Sequence, residues 1–279
     1  MVKTFTMNNG LEIPLLGFGT FKAADGEEAY QSTLAAIKAG YRHIDTAAIY
    51  KNEVSVGKAI KDSGVPREEL FVTTKLWNDS HSYPKAKEAL AASLQRLGLD
   101  YVDLYLIHWP NPKAYRDNWQ KANAEAWSYM EDAVDEGLVK TIGVSNFMVH
   151  HLEALAETAE LTPAVNQIRL APGCFQPEVV DYCKAHQIVV EAWGPLGQGD
   201  IFSNEEMKVL ADKYGKTVAQ LALAWSVYQG FLPLPKSVHE DRIKENMDFF
   251  DIELTEEDAE IIKNLQGMTE VPDPDTKEY

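Results

Sequence analysis

The stretch 71–108, FVTTKLWNDSHSYPKAKEALAASLQRLGLDYVDLYLIH, decides the fold. Its two ends, Phe71 to Lys75 and Leu104 to His108, are short and too continuously apolar for a sheet with one wet face, so both read as strands buried on two sides. Between them Ala86, Leu90, Leu94 and Leu97 recur at helical spacing on one face. The same alternation continues outward. Strand runs fall around Leu15 to Gly19 and His43 to Asp45 on one side, and around Ile142 to Val144, Ala164 to Gln167, Val189 to Ala192 and Leu232 to Pro235 on the other. Leu221, Ala224, Trp225 and Tyr228 make a second helical stripe, opened by Thr217 with Gln220 three residues on as a capping box. Thr255 opens a last helix that carries Ile261, Ile262 and Leu265.

Eight strands, each followed by a crossover, predict an α/β fold closed as a (β/α)8 TIM barrel. An open doubly wound sheet would have fewer strands and a G-x-G-x-x-G first turn, and that motif does not occur. The 279 residues suit one such barrel, a single domain over 1–279. Ahead of the first barrel strand, Phe5 to Ile13 reads as an N-terminal β-hairpin around Asn9-Gly10, placed to plug the barrel's bottom.

Composition narrows the function. Hydrophobic residues at 45% and charged residues at 25%, with no low-complexity tract, describe an ordinary globular chain and exclude disorder. A net charge of −17 repels nucleic acid and anionic membrane surfaces, so neither is an expected partner, and an anionic ligand needs a local basic patch. No apolar run serves as a signal core or membrane span, which points to the cytoplasm. Cys174 and Cys183 lack CxxC spacing and are expected as reduced thiols.

In a barrel of this kind the active site lies where strands end and βα loops begin. Asp45, Lys75 and His108 end successive strands, Ser145 and Asn146 follow the fifth, Gln167 ends the sixth, and Lys236 and Ser237 follow the eighth. Tyr50 comes five residues after Asp45. Singly, a strand-end lysine is a surface charge and a histidine beside Trp109 and Pro110 is a core imidazole; together at one barrel end they indicate shared chemistry. Lys75 is expected to favour the phenolate and pull Tyr50 below the ordinary tyrosine pKa of about 10. Asp45 would hold Lys75 charged and aimed, and His108 would orient a substrate oxygen. That set suits protonation of an oxygen as hydride reaches its carbon. Acyl transfer is disfavoured because Gly143-Val144-Ser145-Asn146-Phe147 lacks the final glycine of a nucleophile elbow. With one histidine at a strand end, no metal site is expected.

Several segments resemble the aldo-keto reductase superfamily over nearly the whole chain: Gly17-Phe18-Gly19-Thr20, Tyr41 to Ala47 with Tyr50, Thr74-Lys75-Leu76-Trp77, Asp103 to Pro110, and Gly143 to Phe147. Glu191 to Gly199 is similar to the bacterial 2,5-diketo-D-gluconic acid reductase branch. The resemblance implies reduction of aldehydes and ketones by NADPH, with NADH weaker, and Asp45, Tyr50, Lys75 and His108 as the catalytic residues. It places the nicotinamide carboxamide against Ser145, Asn146 and Gln167, with Trp193 stacked on the ring. Thr20, Phe21 and Asp45 fall near the ribose side, and Gly194, Pro195, Leu196 and Gly197 complete that stretch. Lys236, Ser237, Val238 and His239 with Arg242, Glu245 and Asn246 resemble the segment for the adenosine 2′-phosphate and adenine. Physically this is the missing basic patch, with Lys236 a point charge and Arg242 a fork for phosphate oxygens.

Two departures stand out. Arg169 and Ala171 occupy positions where relatives usually carry Glu and His, and His239 stands where they carry Thr, Asn or Arg. Phe21, Ile49, Trp77 and Trp109 should wall a substrate pocket whose polar point is Tyr50 and His108. The tail from Met268 to Tyr279, stiffened by Pro272 and Pro274, reads as loop, and the resemblance implies that it helps set specificity. A monomer is expected. Two other readings are open: a nucleotide-binding regulatory or redox-sensing barrel without turnover, and a lyase or isomerase using Lys75 as a Schiff-base amine, which Asp45 beside it disfavours.

Overall fold

The computed structural model describes residues 3–266 and 271–278. The hairpin is β1 (Thr4–Thr6) paired antiparallel with β2 (Glu12–Pro14), turning through Asn8-Asn9-Gly10 with Gly10 at φ +81°. It closes the barrel's N-terminal end as expected: Met7 and Ile13 pack under Leu104, Leu106, Val165 and Leu232, and Asn9 Nδ2 donates to Thr141 Oγ1 at 2.8 Å.

The barrel strands are β3 (Gly17–Gly19), β4 (His43–Asp45), β5 (Phe71–Leu76), β6 (Val102–Ile107), β7 (Val139–Ser145), β8 (Val165–Arg169), β9 (Val189–Trp193) and β10 (Leu232–Leu234). All neighbours are parallel, in sequence order. The ring closes where Gly19 N–H donates to the Pro235 carbonyl at 3.0 Å. A Cβ on Gly17 would lie 2.4 Å from Leu234 Cδ2 and 2.7 Å from His43 Nδ1, so glycine is what lets this strand lie against both neighbours. Every residue of β5 and β6 is buried, the physical reason neither sequence alternates apolar with polar residues.

Helices α1 (Glu27–Ala39), α2 (Glu53–Asp62), α3 (Tyr83–Leu97), α4 (Trp119–Asp135), α5 (Val149–Ala156), α6 (Pro177–Ala185), α7 (Glu205–Tyr214), α8 (Val218–Tyr228), α9 (Glu240–Glu245) and α10 (Glu256–Lys263) surround the strands. On α3, Ala86, Leu90, Leu94 and Leu97 are all buried. Thr217 and Gln220 cap α8 reciprocally, and Thr255 caps α10. Three positions differ from the sequence reading. Tyr228 ends α8 and Ile261 lies on the outer face of α10, both exposed, and Leu265 is buried just beyond α10. Amphipathic spacing fixes a face but not the depth at a helix end, where the chain turns away from the barrel.

The described part of the tail, 271–278, is turn and loop; the rest of it lies outside the described residues. Asp275 fastens it, accepting from Asn111 Nδ2 at 2.8 Å and meeting His151 Nε2 at 2.9 Å and His150 Nε2 at 3.1 Å. His151 Nδ1 accepts the Met148 N–H, so the proton of the neutral ring sits on Nε2 and is donated to Asp275. Sequence reasoning missed this latch, whose members are far apart in the chain. Cys174 and Cys183 are buried free thiols, and burial pushes Cys183 up to about 11.

Candidate active site

A cavity of about 780 Å³ opens at the C-terminal ends of the strands. Strand alternation builds its floor. Residues two apart share a face, so His43 with Asp45 on β4, Thr73 with Lys75 on β5, and Glu191 with Trp193 on β9 each project to one side of their strand.

Lys75 is fully buried. Its Nζ donates to both Asp45 carboxylate oxygens at 2.7 Å, to the Thr46 carbonyl at 3.0 Å, and reaches Tyr50 Oη at 3.5 Å. Burial pulls the ammonium down, but Asp45 and, less strongly, Tyr50 and Glu191 outweigh it, and Lys75 is held charged. Tyr50 departs from expectation. Burial raises the phenol by more than Lys75 lowers it, and Asp45 adds to the rise, so the net direction is upward and Tyr50 stays protonated. The lowering by Lys75 is present but outweighed, because the pair Lys75–Asp45 is nearly neutral when seen from the phenol.

His108 stands over the same point, 5.8 Å from the Tyr50 ring and 5.1 Å from the Trp77 ring, both edge to face. Burial, then Lys75 and His81, hold it well below the usual histidine range, so it is a neutral imidazole. Its Nδ1 is sealed in with no hydrogen-bond partner among the described residues, leaving Nε2 as the nitrogen that meets the cavity. Ile49, Trp77, Trp109 and the half-exposed Phe21, 5.1 Å from Tyr50, form the apolar wall.

Ser145, Asn146 and Gln167 come together but largely bond one another. Asn146, at φ +62°, donates to the His108 carbonyl at 3.0 Å and to Ser145 Oγ at 3.1 Å, and accepts from Trp193 Nε1 at 2.9 Å. Ser145 Oγ donates to the Gln167 carbonyl at 2.8 Å. Gln167 Nε2 donates to Asp45 at 2.9 Å and to Glu191 at 2.7 Å, so its amide oxygen is the group left to face the cavity. Trp193 is fixed edge-on by Asn146 and lies against the Arg169 guanidinium, 5.3 Å from its ring centre.

The model of the aldo/keto reductase family matches residues 15–266. The chain belongs to that family. It is 49% identical over 273 residues to a glyoxal reductase of Bacillus subtilis, covering 98% of this chain and 96% of the relative. It is 46% identical to a methylglyoxal reductase of Escherichia coli over 96% of both chains. An aldo/keto reductase structure from Brucella melitensis superposes with a TM-score of 0.88 at 44% identity, covering 94% of this chain and 99% of that one. A Bombyx mori aldo-keto reductase in complex with NADP superposes with a TM-score of 0.85 at 38% identity, covering 94% and 92%. As an aldo/keto reductase, the protein is an NADP-dependent oxidoreductase acting on carbonyl groups.

The remaining expected positions divide by location. Gly194, Pro195, Leu196 and Lys236 line the cavity of this reductase; Gly197 lies beside them, buried. Thr20 stands behind the wall, its N–H and Oγ1 both on the Asp45 carbonyl at 3.0 Å, so it fixes the backbone that carries Asp45. Ser237 caps the following turn through the His239 N–H at 3.1 Å; Val238 is half-buried, and His239 and Arg242 are exposed. Glu245 is half-buried and Asn246 is buried at the end of α9. Lys22, Gln198, Gly199 and Phe202 line the cavity and were not foreseen. Gly197-Gln198-Gly199 right after a strand was the available signal, since Gln198 and Gly199 both take positive φ.

Proposed function

We propose that this protein reduces small aldehydes and ketones with NADPH, foremost α-dicarbonyls such as glyoxal and methylglyoxal and, beside them, the sugar-acid diketone 2,5-diketo-D-gluconate, with Tyr50 as proton donor. The observation that carries the reading is a protonated phenol touching a buried, charged lysine, beside a neutral imidazole, under an apolar-walled cavity. Relatives named for glyoxal and methylglyoxal support the substrate class.

The donor set fits a nicotinamide dinucleotide. An amide oxygen at Gln167 and an indole at Trp193 suit a flat carboxamide-bearing ring at the deep end, while Lys22 and Lys236 bring positive charge to the rim. Arg242, exposed, is the fork for a 2′-phosphate. NADPH, when bound, supplies the hydride. The chain's own residues do the rest. Trp77 and Trp109 exclude water, His108 Nε2–H donates to the carbonyl oxygen, and Tyr50 passes its proton to that oxygen as negative charge develops. Lys75 then faces the phenolate, the charge state it stabilises and the reason for a buried cation here.

The test is NADPH oxidation with glyoxal, methylglyoxal, 2,5-diketo-D-gluconate and monofunctional aldehydes, NADH run in parallel. Turnover highest with dicarbonyls is expected; tight NADPH binding with no turnover would favour a regulatory barrel instead. Arg242→Ala should raise the Kd for NADPH about tenfold and leave that for NADH nearly unchanged. Equal losses for both cofactors would remove Arg242 from the phosphate site.

A further inference from the structure

Below the cavity lies a carboxyl group that the reaction as described does not use. Glu191 is fully buried on β9. Its Oε2 accepts from Gln167 Nε2 at 2.7 Å, and the other proton of that nitrogen goes to Asp45 Oδ2 at 2.9 Å. Asp45 holds Lys75, and Lys75 reaches Tyr50. Glu191 is therefore the buried end of a continuous chain, Glu191–Gln167–Asp45–Lys75–Tyr50.

We propose that Glu191 is a positioning residue of the reduction: its neutral carboxyl group orients Gln167 and the Asp45–Lys75 pair, and its ionisation slows proton release from Tyr50. This rests on Tyr50 being the proton donor. The geometry favours the neutral form. Oε1 of Glu191 is buried with no hydrogen-bond partner among the described residues, an arrangement costly for a carboxylate. The charged and titratable groups around it are His43 and Asp45 from β4, Lys75 from β5 and, farther along β8, Arg169, which is turned to Trp193. His43 Nε2 stands 3.8 Å away, yet burial and then Lys75 hold that ring down at about 3, so the two form no ion pair at neutral pH. β10 faces Glu191 with Leu232. Burial first, and Asp45 second, push the Glu191 carboxyl up to about 8.

The consequence is electrostatic. With Glu191 neutral, Lys75 and Asp45 balance, and the proton leaving Tyr50 creates the one uncompensated negative charge of the buried chain. With Glu191 ionised, a second negative charge opposes that step. Gln167 links the two effects, because the same carboxyl that sets this charge also fixes which way its amide faces.

Stopped-flow single turnovers of the NADPH-loaded enzyme with methylglyoxal test the proposal, from about pH 6 to about pH 10. The wild-type hydride-transfer rate should fall about tenfold through a midpoint near the Glu191 value, and Glu191→Gln, which keeps an acceptor for Gln167 but cannot ionise, should lack that fall. Infrared difference spectra should show a protonated carboxyl band at neutral pH that is absent in Glu191→Gln and vanishes in wild type with the same midpoint as the rate. If Glu191→Gln does not fold, the wild-type infrared and rate titrations alone must coincide. An unaltered alkaline fall in Glu191→Gln, or no protonated carboxyl band in wild type, overturns the role of Glu191 while leaving the reductase reading intact. No turnover in wild type with any carbonyl overturns both.

Discussion

Tyr50→Phe should lower the rate of carbonyl reduction about 10³-fold, the ordinary worth of the positioned general acid proposed for Tyr50, and leave the Kd for NADPH nearly unchanged. The loss should be this large because nothing nearby replaces the phenol. His108 is neutral and held well below its usual range, so it orients but does not supply a proton that is readily restored. Lys75 is bound on two sides by Asp45 and by the Thr46 carbonyl, and its upward shift makes it a weaker acid than a free ammonium. The ring itself stays, so Phe21 and His108 keep their packing neighbour. Steady-state rates with methylglyoxal and quenching of Trp fluorescence by NADPH separate the two quantities. A variant that keeps a tenth of the wild-type rate would move the proton donor away from Tyr50.

Lys75→Met should lower unfolding stability by about 3 to 5 kcal/mol, because removing one partner leaves the other charge buried and uncompensated. Asp45 is 3% exposed, and without Lys75 its carboxylate keeps, among the described residues, only the Gln167 N–H as a side-chain donor. That is a large share of the roughly 5 to 15 kcal/mol that holds a typical domain folded. The double variant Lys75→Met with Asp45→Asn should recover much of the loss, since a buried ion pair replaced by neutral groups is often close to neutral in stability. Neither variant should reduce carbonyls at a useful rate. Urea unfolding of the three proteins checks this, and a single variant as stable as wild type would mean that Asp45 is not a buried charge.

The strand-end residues show where sequence reasoning reached and where it stopped. Asp45, Lys75 and His108 could be placed together because each stands at or beside the C-terminal end of a short strand, and in a parallel barrel all such ends meet on one rim. Glu191 carried a comparable signal, a lone acid in Val189-Val190-Glu191-Ala192-Trp193, and was passed over because a run buried on both faces does not say which side a polar residue takes. Arg169, where relatives carry Glu, was noticed as a departure, but its contact with Trp193 depends on the register of β8 against β9.

Local chemistry determined the elements themselves. The Asn9-Gly10 turn, the Thr217 and Gln220 cap and the apolar strand runs each act within a few residues, so they can be read along the chain. Charge state could not be read that way. The direction in which Tyr50 shifts is a balance among burial, Lys75 and Asp45, and the neutral form of Glu191 depends on Asp45 and on an oxygen that nothing in the barrel bonds. The Asp45–Tyr50 stretch, Lys75 and Glu191 lie far apart in sequence, and only closure of the barrel brings them within reach while removing water from between them. The sequence thus determined that Asp45, Tyr50, Lys75 and His108 would share one end of the barrel, and the tertiary structure added Glu191 to them and decided their protonation, because desolvation and Coulomb energy depend on distance and burial rather than on order in the chain.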